Sequence, residues 1–197
     1  MINKSKLKKI MRKFNFSPKE DFITVVVEET NKNFTDKAMA AQFLAHLAHE
    51  SVGFAYIEEI AYAGNNCPSN KYGSDSSFPG KQYYGRGFIQ LSYPYNYRET
   101  SIDIFGTLLI YENPELVAKD LKIAMAVSIW FWKKKVEPFI NGNSGHFGYS
   151  TNAINGKMEC GEGKYVYRAK KRYQIYVEIA KEMNLEKIAD EFGCYKV

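Results

Sequence analysis

The sequence predicts a mainly helical protein, because apolar residues recur at helical spacing in three separate segments. The first spans 36–50 and follows candidate cap residues at 33–35. The second begins at Asp120 and carries an apolar run as far as residue 131. The third covers 167–183, where apolar residues return every fourth position. With 197 residues, 45% of them hydrophobic, the chain can bury a substantial core.

A stretch rich in Gly, Asn, Ser, Pro and Tyr, 63–94, separates the first two predicted helices and holds no helical period. Loops of this kind on a helical scaffold commonly carry function. The sequence shows no internal repeat, low-complexity tract or linker. We therefore expect one domain over 1–197, with a basic segment at about 1–18.

The net charge of +5 comes largely from the basic residues of 4–13, a pattern typical of a solvated amphipathic surface. No zinc-finger or helix-turn-helix pattern accompanies it, so we expect no nucleic-acid partner. No apolar run approaches the roughly 20 residues that span a bilayer, so we expect no membrane partner. We expect a monomer.

Three carboxylates suggest acid and base chemistry: Glu50 at the end of the first helix, and Glu58 and Glu59 shortly after it. A continued helix would hold Glu50 and Glu59 roughly 13.5 Å apart, beyond the ~6.5 to 9.5 Å of an inverting glycosidase pair. The helix must therefore stop, and Gly53 can let the chain fold back. Among 22 acidic residues the spacing alone is a weak signal.

Four segments carry a resemblance to a known family: HESVGF, YYGRGFIQLSYPYNY, TNAINGKMECG and FGCYKV. Together, over about 41–194, they resemble the family 19 glycoside hydrolases, which include chitinases and related cell-wall lysins. The resemblance implies a two-lobed, lysozyme-like helical fold with a substrate cleft. It also implies an endochitinase that hydrolyses β-1,4-linked N-acetylglucosamine polymers (chitin) with inversion at the anomeric carbon.

The same resemblance implies roles for individual residues. Glu50 matches the proton donor and Glu59 the general base, with the adjacent Glu58 as the alternative base. Ser92 matches the residue that helps the base to hold water, since a hydroxyl both donates and accepts. Substrate contacts are expected at Gln90, Tyr95, Asn96 and Asn155.

Further positions match supporting roles. Glu159 and Arg172 resemble a buried pair beside the proton donor, with Arg168 as the alternative arginine. Arg86 fits a structural role in the glycine-flanked loop, and Phe88 replaces a proline common in the family.

The resemblance also implies a disulfide between Cys160 and Cys194. The partner position of the remaining cysteine, Cys67, is occupied by Ser77, so we expect Cys67 to be free. A disulfide indicates an oxidising compartment, and we expect a secreted protein whose signal peptide is absent from this sequence. A cytoplasmic location is the alternative.

Two other functions share features with chitin hydrolysis. A peptidoglycan-cleaving glycosidase would share the fold and the acidic pair, and a non-catalytic chitin-binding protein would keep the cleft alone.

His46 and His49 lack the HExxH pattern of zinc proteases, so we expect no metal. Neither Ser51 nor Ser92 lies in a nucleophile elbow. Acid and base chemistry with water needs no cofactor, and none is expected.

Overall fold

A computed structural model describes residues 1–64, 67–162 and 164–195 and is mainly helical, as the sequence predicts. The helices are α1 (Lys4–Lys13), α2 (Glu20–Asn33), α3 (Lys37–Glu50), α4 (Ser69–Tyr72), α5 (Pro94–Phe105), α6 (Leu109–Glu112), α7 (Leu116–Lys119), α8 (Leu121–Phe131), α9 (Glu137–Ile140), α10 (Phe147–Glu159) and α11 (Val166–Glu182). A π-helical segment, Trp132–Val136, joins α8 to α9. Extended structure in the described ranges is limited to isolated β-bridges, such as the one between Glu58 and Arg86.

The three predicted helices are α3, α8 and α11. The cap of α3 differs from the expectation at 33–35: the carboxylate of Asp36 accepts hydrogen bonds from the amides of Ala38 at 2.7 Å and Met39 at 3.3 Å. Asp120 caps α8 in the same way, through the amides of Lys122 and Ile123. Both aspartates satisfy amide groups that the first helical turn leaves without partners.

The basic amino-terminal segment forms α1, which is amphipathic. Leu7, Ile10 and Met11 are buried, whereas Lys8 and Lys13 reach the carboxylates of Glu20 and Glu178. The segment is therefore part of the fold, anchored by its apolar face and ion-paired on its exposed one.

Two hydrophobic clusters define two lobes. The larger is built from α1, α2, α3, α8, α10 and α11, and the smaller from α5, α6, α7 and the loop before them. Helix α8 belongs to both, since Ala124 and Ile129 lie in the larger cluster and Val127 in the smaller. Helix α8 therefore packs against both lobes.

Helix α3 is the centre of the larger lobe. Every residue from Ala40 to Ala48 is buried, so this helix is enclosed on all sides. Among these residues is His46, whose ring stacks on Phe147 at 4.8 Å and whose Nε2 lies 2.8 Å from the Ser150 hydroxyl. The histidine is therefore held by core contacts.

A disulfide joins Cys160 to Cys194, as the family resemblance implies. It fastens the carboxy-terminal segment beside α10, where the amide of Gly161 also donates to the carbonyl of Cys194 at 2.9 Å. Cys67 is a free cysteine with a buried side chain. Among the described helices none is long and apolar enough to cross a membrane.

The unfolding free energy should depend on pH through His46. Burial, followed by the charge of Arg172, lowers the pKa of His46 well below its usual value. The unfolded chain therefore binds a proton below about pH 6.5 that the folded core excludes, and stability falls as pH decreases, by up to about 1.4 kcal/mol per pH unit. His49, whose pKa burial lowers to about 2, contributes with the same sign.

Urea unfolding at pH 7, 6 and 5 measures this slope. His46→Gln keeps a polar contact for Ser150 but cannot titrate, so the slope should flatten by about the contribution of one histidine. A pH slope that His46→Gln leaves unchanged would contradict the contribution of His46 to the pH dependence of stability.

The cysteine arrangement predicts one titratable thiol in the denatured, unreduced protein and three after reduction. Cys160→Ser should lower the unfolding free energy by about 3.8 kcal/mol in the chain-entropy model, because the bond closes a 34-residue separation. Cys67→Ser is the matched control and leaves that cross-link in place. Three thiols before reduction would disprove the pairing.

Candidate active site

A cleft with a volume of about 430 Å³ lies between the two lobes. Its lining includes six of the residues singled out from the sequence: Glu50, Glu59, Gln90, Ser92, Asn96 and Asn155. Tyr95 is placed differently, since its side chain is 65% exposed and stacks on Tyr93 at 5.5 Å between ring centroids. It extends from the rim of the cleft, next to the lining residue Tyr93.

Glu50 is the last residue of α3, and the chain turns sharply after it. Val52, Gly53 and Phe54 follow in succession with φ values of 52°, 68° and 65°. A Cβ on Gly53 would lie 2.3 Å from the side chain of Phe16, so only glycine fits there. The turn expected at Gly53 thus ends the helix and leaves the Glu50 carboxylate at the boundary between the buried core and the cleft.

A buried arginine connects Glu50 to a second carboxylate. The Nη2 atom of Arg172 donates to Glu50 and, at 2.9 Å, to Glu159, whose other oxygen accepts from Nε at 2.8 Å. Arg172 and Glu159 are each 1% exposed. Burial lowers the pKa of Arg172, but the charges of Glu50 and Glu159 outweigh it and raise the pKa above its usual value. Arg172 therefore remains a cation between two acids.

The two candidate arginines occupy different places. Arg172 lies inside this buried group, whereas Arg168, one turn earlier on α11, lines the cleft. The arginine that pairs with Glu159 in the structure is thus Arg172, a choice that the sequence left open between Arg172 and Arg168.

Asn155 reaches the cleft because α10 is distorted at this residue, whose φ of −147° and ψ of 33° are not helical. Its Nδ2 donates to Glu159 at 2.8 Å, which fixes the side-chain amide next to the buried acid group. Arg172 also approaches His46, with 3.4 Å between Nη1 and Nδ1. A chain of polar contacts therefore orders this side of the cleft.

Glu59 lines the cleft and follows the turn after α3. Its Oε1 accepts from Lys71 Nζ at 3.0 Å, and its Oε2 accepts from the Tyr72 hydroxyl at 2.8 Å. The contact with Tyr62 and then the hydrogen bond to Glu59 outweigh the effect of burial and raise the pKa of Lys71, so the ammonium stays charged. Two directed donors hold one orientation of the Glu59 carboxylate.

Glu58 is held away from the cleft lining. It accepts from the Tyr84 hydroxyl at 2.5 Å and lies 3.5 Å from Arg86 Nε. Arg86 is 4% exposed, stacks over the Tyr84 ring at 3.7 Å and donates to the carbonyl of Gln82. It therefore braces the loop, and Phe88, in the family's proline position, is buried beside Phe22.

The loop that carries Ser92 is conformationally strained. Gln90 and Tyr93 have φ values of 58° and 76°, which are unusual for residues other than glycine. The Ser92 hydroxyl donates to the Gln90 carbonyl at 3.0 Å, and Asn96 donates to the Ser92 carbonyl at 2.9 Å. These bonds hold three cleft residues close together, two on the loop and Asn96 in the first turn of α5.

Sequence reasoning missed the groups that hold Glu59. Lys71 and Tyr72 lie in the segment NKYG, which belongs to the predicted loop region and shows no spacing that relates it to Glu59. Tyr93 and Arg168 also line the cleft without having been predicted to do so. Clusters of three or more His, Cys, Asp or Glu side chains suited to a metal are absent from the described ranges.

The chain is similar to known proteins in sequence and in fold. The profile of the family described as chitinase class I, glycoside hydrolase family 19, matches residues 20–146. Endochitinase EP3 of Arabidopsis thaliana is 34% identical over 149 residues, which cover 74% of this chain and 51% of the relative. The chain thus spans about half the length of this curated relative.

Solved structures share the fold. The crystal structure of chitinase C from Streptomyces griseus superposes with a TM-score of 0.73 at 24% identity, covering 98% of this chain and 97% of that one. The class IV chitinase of Zea mays gives a TM-score of 0.69 at 26% identity, covering 94% of each chain. The lysozyme-like fold expected from the sequence is confirmed. With its family profile matched over more than half its length, the chain belongs to glycoside hydrolase family 19.

Proposed function

We propose that this protein is an endochitinase that hydrolyses β-1,4-linked N-acetylglucosamine polymers by single displacement with inversion. The observation that carries the proposal is that Glu50 and Glu59 line one cleft together with Ser92 and Asn155. Family membership and relatives named endochitinases support the same activity.

Glu50 is the proposed proton donor to the leaving glycosidic oxygen. When Glu50 is protonated, the charges of Arg172 and Glu159 cancel within the core. When Glu50 gives up its proton, Arg172 Nη2 already points at the carboxylate that forms. The buried cation therefore stabilises the product state of proton transfer without reorganisation.

Glu59 is the proposed base that takes a proton from water. Its contacts with Lys71 and Tyr72 suit an ionised carboxylate. Ser92 shares the cleft and is proposed to help hold the water, since a hydroxyl can donate and accept at once. Water then attacks the sugar face opposite the leaving group.

The remaining cleft residues are proposed to hold the sugar. The Asn155 amide offers a donor and an acceptor to an acetamido group, which has both. Gln90 and Asn96 line the cleft, and Tyr95 offers an exposed ring at its rim. Glu159 and Arg172 have a supporting role. No cofactor takes part in this scheme.

The cellular location and the assembly of the enzyme are also part of the proposal. The Cys160–Cys194 disulfide supports an extracellular location, because such bonds persist in oxidising compartments. We further propose that the enzyme is one catalytic domain that acts as a monomer.

Substitution of the carboxylates should separate their roles. Glu50→Gln removes the transferable proton and should abolish turnover of soluble chitin oligomers while oligomers still bind. Glu59→Gln should lower kcat by about 10² to 10⁴, the usual contribution of positioned proton transfer. Glu58→Gln is the matched control, since Glu58 contacts Tyr84 and Arg86 outside the cleft lining.

Initial rates and calorimetric binding test all three variants. A Glu59→Gln enzyme with near-normal kcat, or a Glu58→Gln enzyme as impaired as Glu59→Gln should be, would reject Glu59 as the base.

The product anomer should report the stereochemistry. A single displacement on a β-linked chitin oligomer releases the α-anomer first. Proton NMR in the first minutes of hydrolysis, before mutarotation, measures the ratio of the anomers. Early accumulation of the β-anomer would require a retaining route and a different role for Glu59.

A further inference from the structure

Lys71 is a charged residue that contacts the proposed base from outside the cleft. Its ammonium lies 3.0 Å from Glu59 Oε1, and the side chains of Lys71 and Glu59 are 43% and 22% exposed. Within the described part of the chain, the cleft lining includes Glu59 and Tyr72 but not Lys71. A substrate in the cleft therefore meets the carboxylate, and Lys71 can influence the reaction through that carboxylate.

Two aromatic rings restrict the Lys71 ammonium. It lies over the Tyr62 ring at 4.5 Å and over the Tyr72 ring at 5.2 Å. These two rings meet edge to face, with 6.4 Å between their centroids and 89° between their planes. Cation–π contacts with both rings hold a side chain that is flexible by nature, so the ammonium has a defined place beside Glu59.

Helix α4, which carries Lys71, is itself fixed by side-chain contacts. It has four residues, too few for a helix to be stable alone. Tyr72 packs on Tyr93 of the cleft lining at 5.3 Å, and the amide of Cys67, just before the helix, donates to Gln82 Oε1 at 3.3 Å. The position of Lys71 therefore depends on contacts with the neighbouring loops.

The Glu59 carboxylate retains acceptor positions for a water molecule. An ionised carboxylate has about four of them, and Lys71 and Tyr72 use one on each oxygen. The amide of Gly85 also approaches Oε2, at 3.4 Å. The remaining positions point in directions that these donors determine.

A cation beside a general base has two opposite effects on proton transfer. It fixes the orientation of the carboxylate, and it disfavours protonation of that carboxylate. The second effect is limited here, because solvent screens a pair as exposed as Lys71 and Glu59. Orientation has the larger effect, since a misplacement of about 1 Å can lower a rate by about 10²-fold. The loss of Lys71 should therefore slow the reaction.

We propose that Lys71 is a positioning residue that orients the Glu59 carboxylate towards the attacking water. Its contribution passes through Glu59, and the Tyr72 hydroxyl shares the task from the other oxygen. This inference rests on the proposed function, because it requires Glu59 to be the base.

Replacement of Lys71 should lower kcat more than it changes KM, because the residue lies outside the cleft lining. Lys71→Met keeps the length of the side chain, removes the ammonium and should lower kcat on soluble chitin oligomers by about 10-fold. The loss should be partial, since Tyr72 still donates to the carboxylate. Lys71→Arg keeps the charge and should recover part of the rate.

Lys81→Met is the matched control. It removes the same charge from the same loop region, at a side chain that lies near Tyr72 but outside the cleft lining. Its kcat should equal that of the unsubstituted enzyme. Urea unfolding should give similar midpoints for all these variants, because a half-exposed ion pair stabilises the fold little.

The most discriminating comparison repeats Lys71→Met in the Glu59→Gln enzyme. A residue that acts through the Glu59 carboxylate has nothing left to orient there, so the double variant should be no slower than Glu59→Gln alone. A merely structural role for Lys71 would lower kcat by the same factor in both backgrounds.

Three results would overturn the inference: an unchanged or higher kcat in Lys71→Met, an equal loss in both backgrounds, or a similar loss in Lys81→Met. Failure of the proposed function gives a different pattern, in which Glu59→Gln itself keeps a near-normal kcat.

Discussion

The buried guanidinium of Arg172 is the constraint on which the rest of this active site depends. A cation that is 1% exposed requires anionic partners, since an unpaired buried charge costs several kcal/mol. The partners are Glu159 at the end of α10 and Glu50 at the end of α3. Removal of one partner from such a group typically costs about 3 to 5 kcal/mol. The three helices are thus held in register by the same contacts that position the proposed proton donor, Glu50.

The carboxylate of Glu59 is held in a fixed orientation by a separate set of contacts. Lys71 and Tyr72 donate to different oxygens of this carboxylate. The two carboxylates therefore have opposite environments. Glu50 contacts a guanidinium shared with another acid, and Glu59 has an ammonium and a hydroxyl of its own. Paired groups in contrasting environments are the usual basis for separate acid and base roles.

Backbone strain is concentrated around these carboxylates. Among the described residues other than glycine, six have positive φ, and four of them border the site: Val52, Phe54, Gln90 and Tyr93. Val52 is a β-branched residue, for which this conformation is costly. Such strain persists only where surrounding packing enforces it. Phe54, which is buried against Phe88, shows how that packing operates. Tertiary contacts, rather than local preference, thus place both the end of α3 and the Ser92 loop.

The sequence by itself determined the helices whose apolar period is strong, α3, α8 and α11, because that signal is contained in a short window. Helices such as α10 escaped prediction, since Gly and Asn interrupt its pattern and one residue, Asn155, is not helical. Family motifs also supplied Glu50 and Glu59 as candidates and the Cys160–Cys194 disulfide.

Only the tertiary structure decided which neighbour faces the cleft. Glu59 and Glu58 are adjacent in sequence, and Arg172 and Arg168 are one turn apart, so local pattern cannot separate the members of either pair. Arg172 meets Glu50 across 122 residues of chain, and Lys71 meets Glu59 across 12. Such contacts arise from tertiary packing, because electrostatic pairing depends on distance in space and not on separation along the chain.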